Sequence, residues 1–320
     1  MTRVSTFQQS QTLIKEMMGS QYKLADAQRQ VTTGHVAEYY KDIHMDVTNL
    51  AGAKSLLSRL EQYEANNGRV MNRLAQYDQA LTGMESASGD VLSAVMSTIN
   101  SGTTQGLYAT IEGAFETVTN FLNSKNTEGY LFSGSNSDVP PVNLTSLNDL
   151  AAAAEPPTDI FENNDLKATV RIDENRTLEV GVLADEIGLE VMTSLQRLAL
   201  WANGVIPSTA PVPTGPSNSF ASPMSPEDQD FLIGEIARLE TTLDNLAGFR
   251  GENGLNQKTM EDTMESLTLQ VDQTKVFVSN IEDVDAAEAI TNLNQRELAL
   301  ETSYSVLSTI NRMSLLNFLS

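Results

Sequence analysis

Cysteine is absent from all 320 residues. That excludes disulfides, thiolate metal sites, iron–sulfur ligation and cysteine nucleophiles. It also suits a protein that leaves the cytoplasm without oxidative folding. Histidine occurs twice, tryptophan once, and aromatic residues make up only 6%. Basic residues are scarce too: 20 Lys and Arg stand against 42 Asp and Glu, a net charge of −22. Neutralising phosphates needs Lys and Arg, so this balance argues against nucleic acid as a partner and against an anionic membrane surface. No window approaches the run of about 18 apolar residues expected of a membrane span. The stretch from Met1 to Gln11 lacks the apolar core of a secretory signal. Export, if it occurs, is therefore expected to bypass a cleaved Sec signal.

What is present is helical periodicity. Apolar residues reach 40%, with abundant Gln, Asn, Ser, Thr and Ala, a mix suited to long thin helices. Phe7, Ile14, Met17, Leu24 and Val31 recur at heptad-like spacing before Gly34. From about 46 to 125, Leu50, Ala53, Leu57, Leu60, Met71, Leu74, Leu81, Leu92, Val95 and Ile99 fit one frame with alternating spacings of three and four. Glu64, Asn67, Asp78, Glu85 and Ser88 interrupt it. A frame kept this long implies helices packed along their length, and the polar interruptions suit a bundle in which a helix changes partners.

The pattern breaks between about 126 and 228. Gly129 to Gly134 is followed by Pro140-Pro141, which stops a helix. Leu166–Ile172 and Thr177–Leu183 alternate around Asp173-Glu174-Asn175-Arg176 and predict a hairpin. Ile187 to Trp201 reads as a helix, and the proline-rich stretch from Val205 to Pro226 reads as a loop. Ser225-Pro226 then starts a final helical region, with Ser as N-cap and Pro at the first helical position. Leu267, Val271, Val278 and Ile281 share one face there. Ile290, Leu293, Leu300, Tyr304, Leu307 and Phe318 follow on another stripe. Leu315, Leu316, Phe318 and Leu319 together make an apolar end that another helix is expected to cover.

The expected fold is mainly α with a small β-containing insert, its N- and C-terminal segments pairing as an antiparallel long-helix rod. The division expected is 1–45 with 284–320 as terminal assembly helices, 46–125 with 226–283 as the helical rod, and 126–225 as an outward β-containing domain. Charge favours the pairing. Residues 1–60 hold seven Lys/Arg against five acids, and residues 261–320 hold three against ten. Each exposed pair is worth only about 0.2–1 kcal/mol.

Three arrangements resemble chemistry without its spacing. His35, Glu38, Asp42, His44 and Asp46 match no metal motif. Gly248, Gly251 and Gly254 do not form a phosphate-binding GxGxxG. The run Glu282-Asp283-Val284-Asp285 lacks the ligand alternation of a calcium loop and reads as a helix break with Asp285 as N-cap. No catalytic, metal or cofactor residue is assigned. A carboxylate-based enzyme in the central region remains the alternative of another class, and no pair of acids there selects it.

Terminal helices around a variable insert resemble the bacterial flagellins and flagellar hook-associated proteins. Gln28–Gly34 is similar to that family's first helix end. Thr127–Gly134 is similar to the turn after the long helix in its hook–filament junction members, and Ala299–Leu319 is similar to their C-terminus. In many flagellins the first glycine is followed by an Arg-x-Asn and Asp-Asp-x-Ala-Gly stretch. Here it is followed by His35–His44. The arginine cluster that flagellins present to an innate immune receptor is not evident near residues 85–100. Both departures favour a junction member or an unusual flagellin.

The resemblance implies a non-enzymatic structural subunit at the hook–filament junction, with a filament subunit as the alternative. It implies export through the flagellar channel to an extracellular location and no cofactor. Its partners would be further copies, other hook-associated proteins or flagellin, and an export chaperone. It further implies that the terminal helices fold against neighbours as assembly proceeds. The candidate self-assembly residues are Phe7, Ile14, Met17, Leu24, Val31, Ile290, Leu293, Leu300, Tyr304, Leu307, Leu315 and Phe318.

Overall fold

A computed structural model describes residues 2–37, 47–204 and 224–319, with backbone alone described at 2–7, 9, 10 and 310–319. Most of the stretch expected as a proline-rich loop, 205–223, lies outside the described residues, as do Glu38, Asp42, His44 and Asp46. The elements in order are α1 (Thr2–Thr33), α2 (Val47–Ser101), α3 (Leu107–Leu122), β1 (Lys125–Asn126), β2 (Gly129–Tyr130), α4 (Leu147–Ala152), β3 (Thr169–Arg171), β4 (Thr177–Glu179), α5 (Ala184–Ala202), α6 (Pro226–Glu282) and α7 (Ala286–Leu319). The chain is mainly α with a small β-containing part, as the patterning predicts; of the two small hairpins among the described residues, β3–β4 is the expected one and β1–β2 is an addition. It divides into two compact units, one of Met1–Glu61 with Thr268–Ser320 and one of Gln62–Leu267.

In the Gln62–Leu267 unit, α2 and α6 run antiparallel. Arg250 Nη1 meets Glu85 at 2.6 Å, while Asn253 and Gln257 donate to the Leu74 carbonyl at 2.9 and 3.2 Å. Both helices bury a seam spaced three and four. On α6 it runs through Leu232, Glu235, Leu239, Thr242, Leu246, Asn253, Met260, Thr263 and Leu267. On α2 it runs through Asn67, Val70, Leu74, Tyr77, Leu81, Met84, Ser88, Val91, Val95 and Thr98.

This corrects the sequence frame. Its 67-74-81-88-95 row is buried, but the second row is 70-77-84-91-98 rather than 71-78-85-92-99. Asn67 and Ser88 sit inside the seam instead of interrupting it. For Asn67 the reason is a buried polar contact: its Nδ2 donates to the Ile172 carbonyl at 2.9 Å.

The helical stretch expected across 46–125 is also broken. Gly102 and Gly106 adopt φ of 69° and 89°, the left-handed region that glycine enters without a Cβ clash. α3 then packs on α4 and α5. Gly83 of α2 has no Cβ to strike the Phe121 ring that lies against it.

Local capping explains the other starts. Ser146 accepts from Asp149 N to begin α4. Ser225 accepts from Asp228 N at 3.1 Å to begin α6, as its position before Pro226 predicts. Asp185 and Glu186 occupy the first turn of α5, where the helix dipole favours acids. β3 and β4 pair antiparallel with Val170 opposite Leu178. The Asp173 carboxylate fixes their turn, accepting from Asn175 N at 2.7 Å and Arg176 N at 3.0 Å.

α5 is buried along most of its length, from Ile187 through Val191, Leu195 and Leu198 to Trp201. Trp201 Nε1 donates to Asp228 at 2.8 Å, and its ring stacks on Phe231. Beside it Arg197 lies fully buried, reaching Glu235 at 2.6 Å and Glu155 at 2.8 Å. Burial pushes the Glu235 carboxyl above its ordinary value against the opposing pull of Arg197.

The family-like segment Thr127–Gly134 closes this core. Leu131, Phe132 and Ser133 are buried, and the Phe132 ring meets Tyr77 at 5.2 Å. The Tyr77 hydroxyl donates to the Leu131 carbonyl at 3.1 Å. Gly129 (φ 124°) and Gly134 (φ 68°) adopt left-handed backbone, and a Cβ on either would strike Ser137 or Asn164.

Candidate assembly interface

The other unit is built on α1 and α7, which pack together. They run antiparallel, because Leu13 and Met17 face Thr302–Leu307 while the far end of α1 reaches the start of α7. Ala27 and Ala289 are buried in this unit. Gln21 Nε2 donates to the Tyr304 hydroxyl at 2.7 Å.

At one end of the pair, two helix breaks clasp each other. Gly34 ends α1 with φ 73°. Val36 N donates to the Glu282 carbonyl and Val284 N to the Gly34 carbonyl, both at 2.9 Å, forming a bridge between His35 and Asp283. His35 Nδ1 lies 3.3 Å from the Asp283 carboxylate. Asp285 caps α7 through Ala287 N at 2.8 Å, as expected of the acid run. Lys54 Nζ reaches Glu282 at 2.6 Å, and Lys275 reaches Glu61 at 3.2 Å, tying α2 to α6 within the same unit. The acids of 282–285 thus hold a helix break. Among the described residues no group of three His, Cys, Asp or Glu is placed to hold a metal.

The structure leaves much of this unit's apolar surface uncovered. Of the candidate residues, Met17, Leu24, Leu293, Leu300 and Leu307 are half-buried, while Ile14, Val31, Ile290 and Tyr304 are exposed. The side chains of Phe7, Leu315 and Phe318 lie outside the described residues. Sequence reading missed further exposed residues: Met18, Tyr22 and Leu298, the last 65% exposed, together with Val276 and Phe277 on α6. It also missed Ala27, which falls between Leu24 and Val31 in the same spacing of three and four; an alanine carries little signal in such a pattern. Two helices have too little width to bury stripes this broad. In a monomer such residues remain against water; in an assembly another helix covers them.

Residues 236–319 match the family of the bacterial flagellin C-terminal helical region. The C-terminal part of this chain is flagellin-type. That flagellin-type region takes in the α6 seam from Leu239 onward, the clasp and α7.

Solved structures share the fold, three of them flagellar hook-associated proteins. A putative flagellar hook-associated protein from Vibrio parahaemolyticus is 18% identical, with TM-score 0.57 over 74% of this chain and 96% of that one. Bacillus cereus FlgL is 15% identical, with TM-score 0.54 over 71% and 98%. Flagellar hook-associated protein 3 from Legionella pneumophila is 9% identical, with TM-score 0.57 over 72% and 98%. No curated protein matches the sequence. Among the described residues no helix is long and apolar enough to cross a membrane.

Proposed function

We propose that this chain is a structural subunit of the bacterial flagellum that joins the hook to the filament. The observation carrying this reading is the flagellin-type α6–α7 region, whose α7 pairs with α1 while Ile14, Tyr22, Ile290 and Leu298 stay exposed. The hook-associated proteins named above favour the junction over the filament, since nearly the whole length of each is spanned by this fold.

In this reading 1–45 and 284–320 carry the assembly surface. The candidate residues from Phe7 to Val31 and from Ile290 to Phe318 meet helices of neighbouring copies, other hook-associated proteins or flagellin. The subunit is delivered through the flagellar export channel, with a chaperone covering the same apolar faces beforehand. Its role is mechanical rather than catalytic.

The second reading is a filament subunit, favoured by the match to flagellin's own C-terminal region. Deleting the gene separates the two. A junction subunit leaves hooks intact and flagellin shed into the medium. A filament subunit leaves hooks with no filament protein shed. Normal filaments after the deletion would overturn both.

A further inference from the structure

Beside the β1–β2 turn, α2 forms one wall of a polar cleft of about 550 Å3 in the Gln62–Leu267 unit, lined by Arg69, Asn72, Arg73, Gln76, Thr127 and Glu128. Among the described residues, Arg69, Asn72, Gln76 and Thr127 make no side-chain hydrogen bond or ion pair. Arg73 is held in place by donating Nε to the Tyr77 hydroxyl at 2.9 Å. Its charge is only loosely met, since Glu128 lies 3.7 Å away and is 61% exposed. Several other cations of this unit are met closely by carboxylates: Arg250 by Glu85, Lys167 by Glu186 and Lys258 by Asp262. A chain of net charge −22 thus keeps two guanidiniums, one turn apart, beside free amides and a hydroxyl. That set suits carboxylates, which accept forked guanidinium hydrogen bonds.

The described surface offers a complementary pair. Glu297 and Glu301 are exposed on α7, one turn apart, and neither has a partner among the described residues. Side chains four apart on a helix lie about 5–6 Å from each other, so the two acids match the spacing of Arg69 and Arg73. Leu298, 65% exposed, sits between them. Glu112 and Glu116 on α3 have the same spacing, but the residues between them, Gly113, Ala114 and Phe115, present no large exposed apolar side chain. The α7 pair therefore lies on a surface that already needs covering.

We infer that Arg69 and Arg73 receive the carboxylates of Glu297 and Glu301 from a second copy of this chain. The cleft sets the register of a contact between copies, and Leu298 supplies apolar area at its edge. This rests on the self-association proposed above.

The test is charge exchange in the full-length protein. Arg69→Glu breaks no hydrogen bond or ion pair within the chain, so its thermal unfolding should match the parent. Its self-association, measured by sedimentation velocity at about 50 mM NaCl where exposed charges are weakly screened, should fall about three- to tenfold. Adding Glu297→Arg and Glu301→Arg to that variant should restore association, whereas adding Glu112→Arg and Glu116→Arg should not. Unchanged association of Arg69→Glu, or equal rescue by the α3 reversal, overturns the inference while leaving the assembly reading intact. Loss of incorporation into flagella with self-association unaffected also overturns it, and assigns the cleft to a different partner. Failure of the unaltered protein to self-associate under any condition overturns both.

Discussion

The backbone N–H of Val284 donates to the carbonyl of Gly34 at 2.9 Å, joining two helix breaks that lie 250 residues apart in the chain. Gly34 needs its left-handed φ of 73° to present that carbonyl, and the space around it is open. Gly34→Ala therefore costs conformational strain without a clash, about 1–2 kcal/mol. The loss should appear as faster hydrogen exchange at Val36 and Val284. Unchanged protection there would show that the clasp does not depend on this glycine.

Two glycine substitutions should act in opposite directions. Gly129 adopts φ 124°, and a Cβ there strikes the Ser137 carbonyl, so Gly129→Ala should destabilise by about 2 kcal/mol or more. Gly248 lies within α6 with open space around it. Gly248→Ala should stabilise by about 0.5–1 kcal/mol through helix propensity. Chemical denaturation of both variants beside the parent measures the contrast. A stabilising Gly129→Ala would contradict the steric account of the Thr127–Gly134 turn.

Arg197 bridges two carboxylates from inside the core. Arg197→Met leaves Glu235 and Glu155 buried without it, a loss of about 3–5 kcal/mol. Burial already raises the Glu235 carboxyl, and removing the nearby cation raises it further. A raised folded value means the folded state takes up a proton more readily than the unfolded chain. The variant's deficit should therefore shrink as pH falls through the raised value toward the unfolded one. Adding Glu235→Gln should remove most of that pH dependence. A deficit independent of pH would place the damage in lost packing on Phe231 instead.

Asp173 should behave with the opposite sign. The Asn175 N–H, aided by Arg176, holds its carboxyl below the ordinary value. A depressed folded value contributes stability that is present above the unfolded value of about 3.9 and is lost as pH falls through the folded one. The stability gap between the parent and Asp173→Asn should thus be widest near neutral pH and close in acid. A gap of constant size would mean the turn needs only the side-chain oxygen, not its charge.

Local signals carried much of this fold. Ser225 before Pro226 and Asp285 after the α6 break start helices by side-chain capping, which depends on a few neighbouring residues. The 166–183 alternation yields a hairpin for the same reason, although only three residues on each side pair. The α2 seam was half legible: Leu74, Leu81 and Val95 announce one row. The other row depends on Tyr77 and Met84 being inside, and the core status of Asn67 depends on the Ile172 carbonyl 105 residues away. The clasp of Gly34 and Val284 is equally non-local. Heptad-like spacing located the terminal helices, and the resemblance to flagellins implied their role. Which of their side chains face water emerged only from their packing, as Tyr22, at 79% exposure, and Leu298 illustrate.

Tyr22 and Phe277 offer the most direct test of the uncovered surface. Both belong to the unit built on the terminal helices, and they are 79% and 47% exposed. Exposed positions away from caps and networks usually change stability by no more than about 0.5 kcal/mol. Phe277→Ser should therefore melt close to the parent; Tyr22→Ser should do the same. Covering a large apolar side chain is worth roughly 1.5–3 kcal/mol, so a subunit interface that buries both loses several kcal/mol in the double variant. Self-association should fall at least tenfold, with each single variant intermediate. Because this contact is apolar, raising NaCl to about 0.5 M should not reproduce the effect, although it screens exposed charge pairs. A double variant that associates like the parent would mean these two side chains stay against water in the assembly, and would confine the interface to the remaining exposed residues of α1 and α7.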